Sequence, residues 1–215
     1  MQYLAIIADG NRRWAAANDL PPEAGHAQGL AIIEHCCEWA ILHDVDMLTV
    51  YCFSTENWNR STEQVDAIMD LARHYFVERR EWYIARGIYV RFAGRRDRLA
   101  PDIVESMAQM ENATRCGSTL TLTICVDYGG RDAIVRAVEG GARTEDELHT
   151  ALCAEIPEPD AILRTGGQMR LSGFLLWQCA YSELFFSQTL FPALRWAELD
   201  DMLEEYRGRT RNYGT

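Results

Sequence analysis

Short apolar runs alternate along this chain with longer stretches in which apolar residues return every three or four positions. The apolar runs are YLAIIA (Tyr3 to Ala8), MLTVYCF (Met47 to Phe53), IYVRFAG (Ile88 to Gly94), LTLTICV (Leu120 to Val126), AILR (Ala161 to Arg164) and ELFFS (Glu183 to Ser187). Their β-branched and aromatic content and their length predict six buried strands. After Ser61 the period changes to 3.6: Val65, Ile68, Met69, Ala72, Tyr75, Phe76, Arg79, Trp82 and Tyr83 fall on one stripe. That stripe predicts one amphipathic helix of about 35 to 40 Å, stopped at Gly87. Strands alternating with helices predict an α/β fold, with a mainly parallel central sheet flanked by helices. No repeat, low-complexity tract or linker divides residues 1 to 215, so the reading is a single domain.

The polar motifs fall just after the strands: Asp9 to Arg13, Ser54 to Arg60, Asp127 to Arg131, and Arg164 to Ser172. In open parallel sheets the carboxyl edge is where ligands bind. Four motifs converging on that edge describe one site.

In DGNRR, Gly10 lets the backbone approach a ligand, the amides that follow point at phosphate oxygens, and Arg13 clamps them. Asp9 is placed to hold a magnesium ion bridging to the same phosphates. A turn with a helix cap favours the same residues. RTGGQMRLS repeats the logic, with Arg164, Arg170 and Ser172 around two glycines, and suits a second dianionic group. Neither G-x-x-x-x-G-K-[ST] nor G-x-G-x-x-G occurs, so a nucleotide loop is not supported. In STENWNR, Ser61 or Thr62 caps the next helix, while Asn57 and Arg60 face the same sheet edge. His26 is either a phosphate donor or a plain helix-start residue, and the Tyr75, Phe76, Trp82, Tyr83 stripe is either core or the wall of an apolar tunnel.

Composition narrows the classes. A net charge of -11 argues against nucleic acid and against an anionic membrane surface, so any anionic ligand is held locally. No apolar run reaches the ~18 residues of a membrane span, and the start of the chain reads as a strand rather than a signal peptide, giving a cytoplasmic expectation with no stable membrane insertion. All 21 basic residues are arginine, the better bidentate phosphate ligand, although a GC-rich genome produces the same bias. Seven scattered cysteines contain no Cys-x-x-Cys pair and are expected to be buried, reduced thiols. His35, His43, His74 and His149 show no spacing that makes them a metal set.

Taken together, DGNRRWA at Asp9, AGHAQG at Ala24, YCFSTENWNR at Tyr51, DYGGR at Asp127, RTGGQMRLSGFLLWQCAYSELFF at Arg164 and RTRNYG at Arg209 resemble the cis-prenyltransferase family typified by undecaprenyl diphosphate synthase. The resemblance spans nearly the whole chain. It implies prenyl diphosphate substrates, magnesium on Asp9, and an allylic diphosphate cradled by Gly10, Asn11 and Arg12 with Arg13 and His26. It implies a second diphosphate at Arg164, Arg170 and Ser172, with Ser54, Asn57 and Arg60 alongside and Asp9 and Asn57 as the catalytic residues. It further implies a homodimer in which Glu183 assists the metal from the partner subunit and the terminal arginine segment crosses over.

The chain departs from the family pattern at Pro22 (usually Arg), Gln64 (Glu), Gln168-Met169 (Glu-His), Gly173 (Asn) and Asp127 (Asn), the last an extra carboxylate at the active edge. Bulky Tyr75 and Phe76 are expected to block the tunnel for a growing chain, giving a product of ten or fifteen carbons. The altered second site suits head-to-middle joining of two allylic units into a branched, lavandulyl or sesquilavandulyl-type product; ordinary head-to-tail elongation with isopentenyl diphosphate is the alternative. A non-catalytic partner subunit is disfavoured by retention of Asp9, Arg13, Arg164, Arg170 and Glu183, and a phosphate-binding hydrolase by the lack of a nucleophile or water-activating metal cluster.

Overall fold

A computed structural model describes residues 1–209. All six expected strands form: β1 (Tyr3–Ile7), β2 (Met47–Ser54), β3 (Ile88–Ala93), β4 (Leu120–Tyr128), β5 (Ala161–Arg164) and β6 (Glu183–Phe186). They make one sheet in the order β3-β4-β2-β1-β5-β6, with every neighbouring pair parallel. The helices are α1 (Asn11–Ala17), α2 (Pro22–Leu42), α3 (Thr62–Glu78), α4 (Arg80–Ala85), α5 (Pro101–Thr114), α6 (Gly130–Glu139), α7 (Glu145–Glu155) and α8 (Trp196–Gly208).

Side chains alternate across a strand, so each strand feeds two cores. Leu4 and Ile6 of β1, with Leu48, Val50, Val90, Leu122 and Ile124, pack under α2, α3, α5 and α8 through Ile33, Trp39, Phe76, Met107 and Leu203. Tyr3, Ala5 and Ile7, with Tyr51 and Cys125, face the opposite way onto Ala133 of α6, Leu152 of α7 and the Phe174-Leu175 turn. Both faces are covered, which is what a parallel sheet of near-continuous apolar strands requires.

Three expectations change. The single long helix is two: at Arg79 φ is -95° and ψ is -1°, well off the α-helical ψ, and the chain re-enters helix at Arg80. Arg79 makes a two-point ion pair with the buried Glu34 of α2, with Nε to Oε1 at 2.5 Å, which fixes that corner. The stop at Gly87 stands, with φ +64° and its amide on the Ile84 carbonyl. Ser61 holds the N-cap position of α3 but makes no side-chain cap bond. Of the seven free cysteines only Cys36, Cys37 and Cys125 are buried, and Cys116 is exposed. Burial pushes the Cys36 thiol up to about 12, and the Cys52 thiol, enclosed although the residue as a whole is half-buried, to the same value, so neither is a nucleophile at neutral pH.

Candidate active site

The carboxyl edge of the sheet opens into one cavity of about 790 Å3. From the first motif it takes Asp9, Gly10, Asn11, Arg12 and Arg13, and from α2 it takes His26. Ser54, Asn57 and Arg60 enter from the second motif, and Arg164, Arg170 and Ser172 from the fourth. Pro22, which stands where the family pattern has arginine, lines it too.

The backbone around Asp9 is set by β1 and its neighbour. The Asp9 amide donates to Thr165 Oγ1 at 3.0 Å, the Thr165 hydroxyl donates to the Asp9 carbonyl at 2.8 Å, and the Phe191 amide closes on the same carbonyl at 3.0 Å. Gly10 then turns the chain with φ +115°, a conformation L side chains rarely adopt, and a Cβ there would sit 3.0 Å from the Leu190 Cα. The first amides of α1 follow with no side-chain cap from Gly10. Such amides have no intrahelical acceptor. Gly166 is as constrained: with φ +81°, a Cβ would meet Arg13 Nη2 at 2.5 Å and the Asp9 carbonyl oxygen at 2.9 Å.

Asp9 is gripped from both sides. Arg13 Nη2 donates to Oδ1 at 3.0 Å and Arg164 Nη2 to Oδ2 at 2.8 Å. Arg13 is itself anchored on the Gly166 carbonyl at 2.8 Å. Arg164 is 5% exposed and uses Nη1 on Ser172 Oγ at 2.7 Å and on the Arg170 carbonyl, while its Nε is buried without a partner. The expected pair of open guanidiniums over the glycine loop is therefore one: Arg164 is committed to holding Asp9 and the loop, and Arg170 faces outward with Nη1 on Gln168 Oε1 at 2.5 Å.

Positive charge gathers opposite. Arg12 reaches Gln64 Oε1 only at 3.5 Å, and burial together with the Arg12 guanidinium presses against the charged form of Arg60. Burial, then Arg60 and Arg12, push His26 down to about 4, so its imidazole is neutral at physiological pH. Like charges held together without anions make a strong site for a polyanion. Asn57 has a structural duty besides: in the 3-10 turn Thr55–Asn59 its Oδ1 accepts the Ser54 amide at 3.0 Å, as part of a capping box.

Asp9 is the one carboxylate lining this cavity among the described residues. A single carboxylate fits magnesium, which is commonly held by one or two protein carboxylates plus substrate phosphates. Glu183 is not part of that set within one chain. It opens β6 opposite Ala161, three residues upstream of the edge where Arg164 stands, and its Oε2 pairs with Arg209 Nη1 at 2.6 Å. The rest of the terminal arginine segment, residues 210–215, lies outside the described residues.

Asp127 corrects another expectation. It belongs to β4, is fully buried, and accepts Trp58 Nε1 at 2.8 Å and Arg98 Nε at 2.9 Å; it braces the 3-10 turn from beneath and is absent from the cavity lining. Thr165 was missed by sequence reasoning, although it sits beside Arg164 in a motif already singled out.

Behind the polar cavity an apolar pocket of about 70 Å3 shares Ala8, Asn11, His26 and Cys52 with it and runs between Leu30, Ile68, Met69 and Ala72 to Phe76. Phe76 packs edge-on against Phe92 at 4.7 Å. Tyr75 is not part of this wall: its hydroxyl turns away to the Tyr83 hydroxyl at 2.6 Å.

A sequence model of the family described as putative undecaprenyl diphosphate synthase matches residues 7–214. An isoprenyl transferase of Aquifex pyrophilus is 41% identical over 99% of this chain and 95% of its own length. Among solved structures, lavandulyl diphosphate synthase from Lavandula x intermedia, in complex with dimethylallyl diphosphate, superposes with a TM-score of 0.93 at 28% identity, covering 100% of this chain and 98% of that one. A probable undecaprenyl diphosphate synthase from Campylobacter jejuni gives a TM-score of 0.85 at 31% identity, covering 100% and 99%. The chain belongs to the undecaprenyl diphosphate synthase family of cis-prenyltransferases, and it is a prenyltransferase that makes prenyl diphosphates.

Proposed function

We propose that this prenyltransferase is a short-chain synthase, condensing dimethylallyl or geranyl diphosphate with a second five-carbon diphosphate to a product of ten or fifteen carbons. The observation that carries this reading is the small apolar pocket, about 70 Å3, that Phe76 lines. An apolar cavity of ~150 Å3 holds one benzene molecule. A pocket half that size has no room for fifty-five carbons, and its wall must already give way for the tail of a short allylic chain.

In this reading Gly10, Asn11 and Arg12 present their amides to the allylic diphosphate while Arg13, Arg12 and Arg60 offset its charge. Magnesium held at Asp9 supplies further neutralisation of the leaving diphosphate. Arg164 and Ser172 fix the direction of the Asp9 carboxylate. Arg170 receives the second diphosphate and Asn57 stiffens the turn that carries Arg60. The allylic carbon–oxygen bond breaks, the double bond of the second substrate forms the new carbon–carbon bond, and a proton is lost to the released diphosphate. Catalysis is then positioning and preorganised charge, with no protein nucleophile.

A homodimer is part of this reading: Glu183 lies away from the cavity of its own chain, and the reading has it serve the diphosphate site of a second copy. No described helix is long and apolar enough to cross a membrane. We place the enzyme in the cytoplasm.

Head-to-middle coupling is the second reading, favoured by Gln168 drawing Arg170 aside in the second site and by the likeness to the plant lavandulyl synthase. The test is to incubate purified protein and magnesium with dimethylallyl or geranyl diphosphate, each with and without isopentenyl diphosphate, and to identify the dephosphorylated alcohol by NMR. A branched alcohol without isopentenyl diphosphate supports head-to-middle joining. A linear cis alcohol that requires it supports elongation, and no coupling under any condition overturns both.

A further inference from the structure

The geometry points to a second metal site, for a borderline-soft divalent ion such as zinc, formed by His149 Nδ1, Cys153 Sγ and a Glu158 carboxylate oxygen. The three donor atoms lie within 4.8 Å of one another. His149 Nδ1 is 3.8 Å from Cys153 Sγ and 3.8 Å from Glu158 Oε1. Zinc bonds of about 2.3 Å to sulfur and about 2.0 to 2.1 Å to nitrogen or oxygen, at tetrahedral angles, place nitrogen and sulfur about 3.6 Å apart and nitrogen and oxygen about 3.4 Å apart. The two spacings from His149 need to close by only a few tenths of an ångström, and the sulfur to carboxylate spacing, within 4.8 Å, by about 1 Å at most, which rotation of the exposed Glu158 side chain supplies.

Sequence alone sets His149 aside because no spacing among the histidines makes a metal set. The fold supplies other partners. His149 and Cys153 stand four residues apart on one face of α7. Glu158 comes from the connection into β5, where it lies between Pro157 and Pro159. Proline fixes its own φ and restricts the residue before it, so Glu158 is held in a narrow range of backbone conformations before any ion arrives. The donors are open to an ion from solvent, with side-chain exposures of 50% for His149 and 46% for Glu158.

A nitrogen, sulfur and oxygen donor set favours zinc over magnesium, which prefers oxygen ligands throughout. The thiol gives its proton to solvent on binding, and the fourth position stays open to water. The connection carrying Glu158 leads into the amino end of β5, whereas Asp9 and Arg164 stand at the carboxyl edge. The site is therefore separate from the diphosphate cavity, and its effect is to tether the α7–β5 connection.

Metal-free full-length protein, kept reduced, is titrated with cobalt(II) and then zinc. The expected result is one equivalent of cobalt bound with a thiolate-to-cobalt charge-transfer band, displaced by zinc but not by magnesium. The band is lost in Cys153→Ser and in His149→Ala, and Glu158→Gln weakens binding at least tenfold. His149 is exposed and alanine is the best helix former, so that variant keeps its fold. Absence of the band in the wild-type protein, or a band that survives Cys153→Ser and disappears in Cys116→Ser, overturns the proposal.

Discussion

Arg164 Nη2 donates to Asp9 Oδ2 at 2.8 Å, joining the ends of β5 and β1 across 155 positions of the chain. The pair makes Asp9 a directed ligand, since Arg164 is also tied to Ser172 and has no slack. Asp9→Asn keeps an acceptor for Arg164 but removes the charge that holds the metal and its phosphates. Coupling in steady-state assays is expected to fall about 10²- to 10³-fold, in the range of losing one preorganised electrostatic contact. Raising magnesium should not restore it, and the circular dichroism spectrum should stay unchanged; full rescue by magnesium would show that Asp9 acts elsewhere.

Phe76 lines the apolar pocket and Tyr75 does not, so the two aromatic neighbours separate cleanly in a mutant series. Phe76→Ala should lengthen the product, read by mass spectrometry of the alcohols, at a stability cost of about 3–5 kcal/mol for a buried phenylalanine. Tyr75→Phe should leave product length unaltered while costing about 1 kcal/mol from the lost hydroxyl pair with Tyr83. A longer product from Tyr75→Phe would place the end of the tunnel on the wrong residue.

His26 gives the protein a definite pH response. The native state holds it neutral down to about 4, whereas the same side chain in the unfolded chain titrates near 6.5. Between those values the unfolded state binds the extra proton, so this residue's contribution to stability falls as pH drops from 6.5 to 4 and is constant below. Thermal unfolding at pH 7 and pH 5 should show the wild type losing more than His26→Asn. Equal losses would mean that the imidazole is not held neutral.

Asp127 tests whether a departure from the family pattern is structural. Asp127→Ala removes the fully buried acceptor of Trp58 Nε1 and of Arg98; Arg98 is exposed and can rehydrate, so the cost is about 1–3 kcal/mol, mainly from the unpaired indole N–H. Asp127→Asn keeps an acceptor for Trp58 and loses only the charge for Arg98, so its cost should be smaller. Both effects should appear in denaturant midpoints, with KM for the diphosphates of the asparagine variant unchanged; a large KM shift there would return Asp127 to the binding site.

Much of this was legible from residues alone. The six apolar runs became six strands within one or two positions, because strands buried on both faces leave little ambiguity in an alternating α/β pattern. Twelve of the thirteen candidate site residues line one cavity, because the sequence placed them just after strands whose carboxyl ends share an edge. What escaped depended on side-chain partners that no local pattern reveals. Arg79 breaks a continuous helical stripe through an ion pair with Glu34, forty-five residues away. Asp127 reads from its position as an extra carboxylate at the active edge and is consumed by Arg98 and Trp58. Glu183, on the edge strand β6, falls outside the cavity because a strand's start and its end lie on opposite edges of the sheet.

The most direct test of the central claim is the chain length of the product made by the wild-type enzyme with geranyl diphosphate, magnesium and a large excess of isopentenyl diphosphate, measured by mass spectrometry after dephosphorylation. The short-chain reading, which rests on the small apolar pocket lined by Phe76, predicts that products stop at ten or fifteen carbons however long the reaction runs. A ladder of alcohols extending to forty carbons or beyond would contradict it.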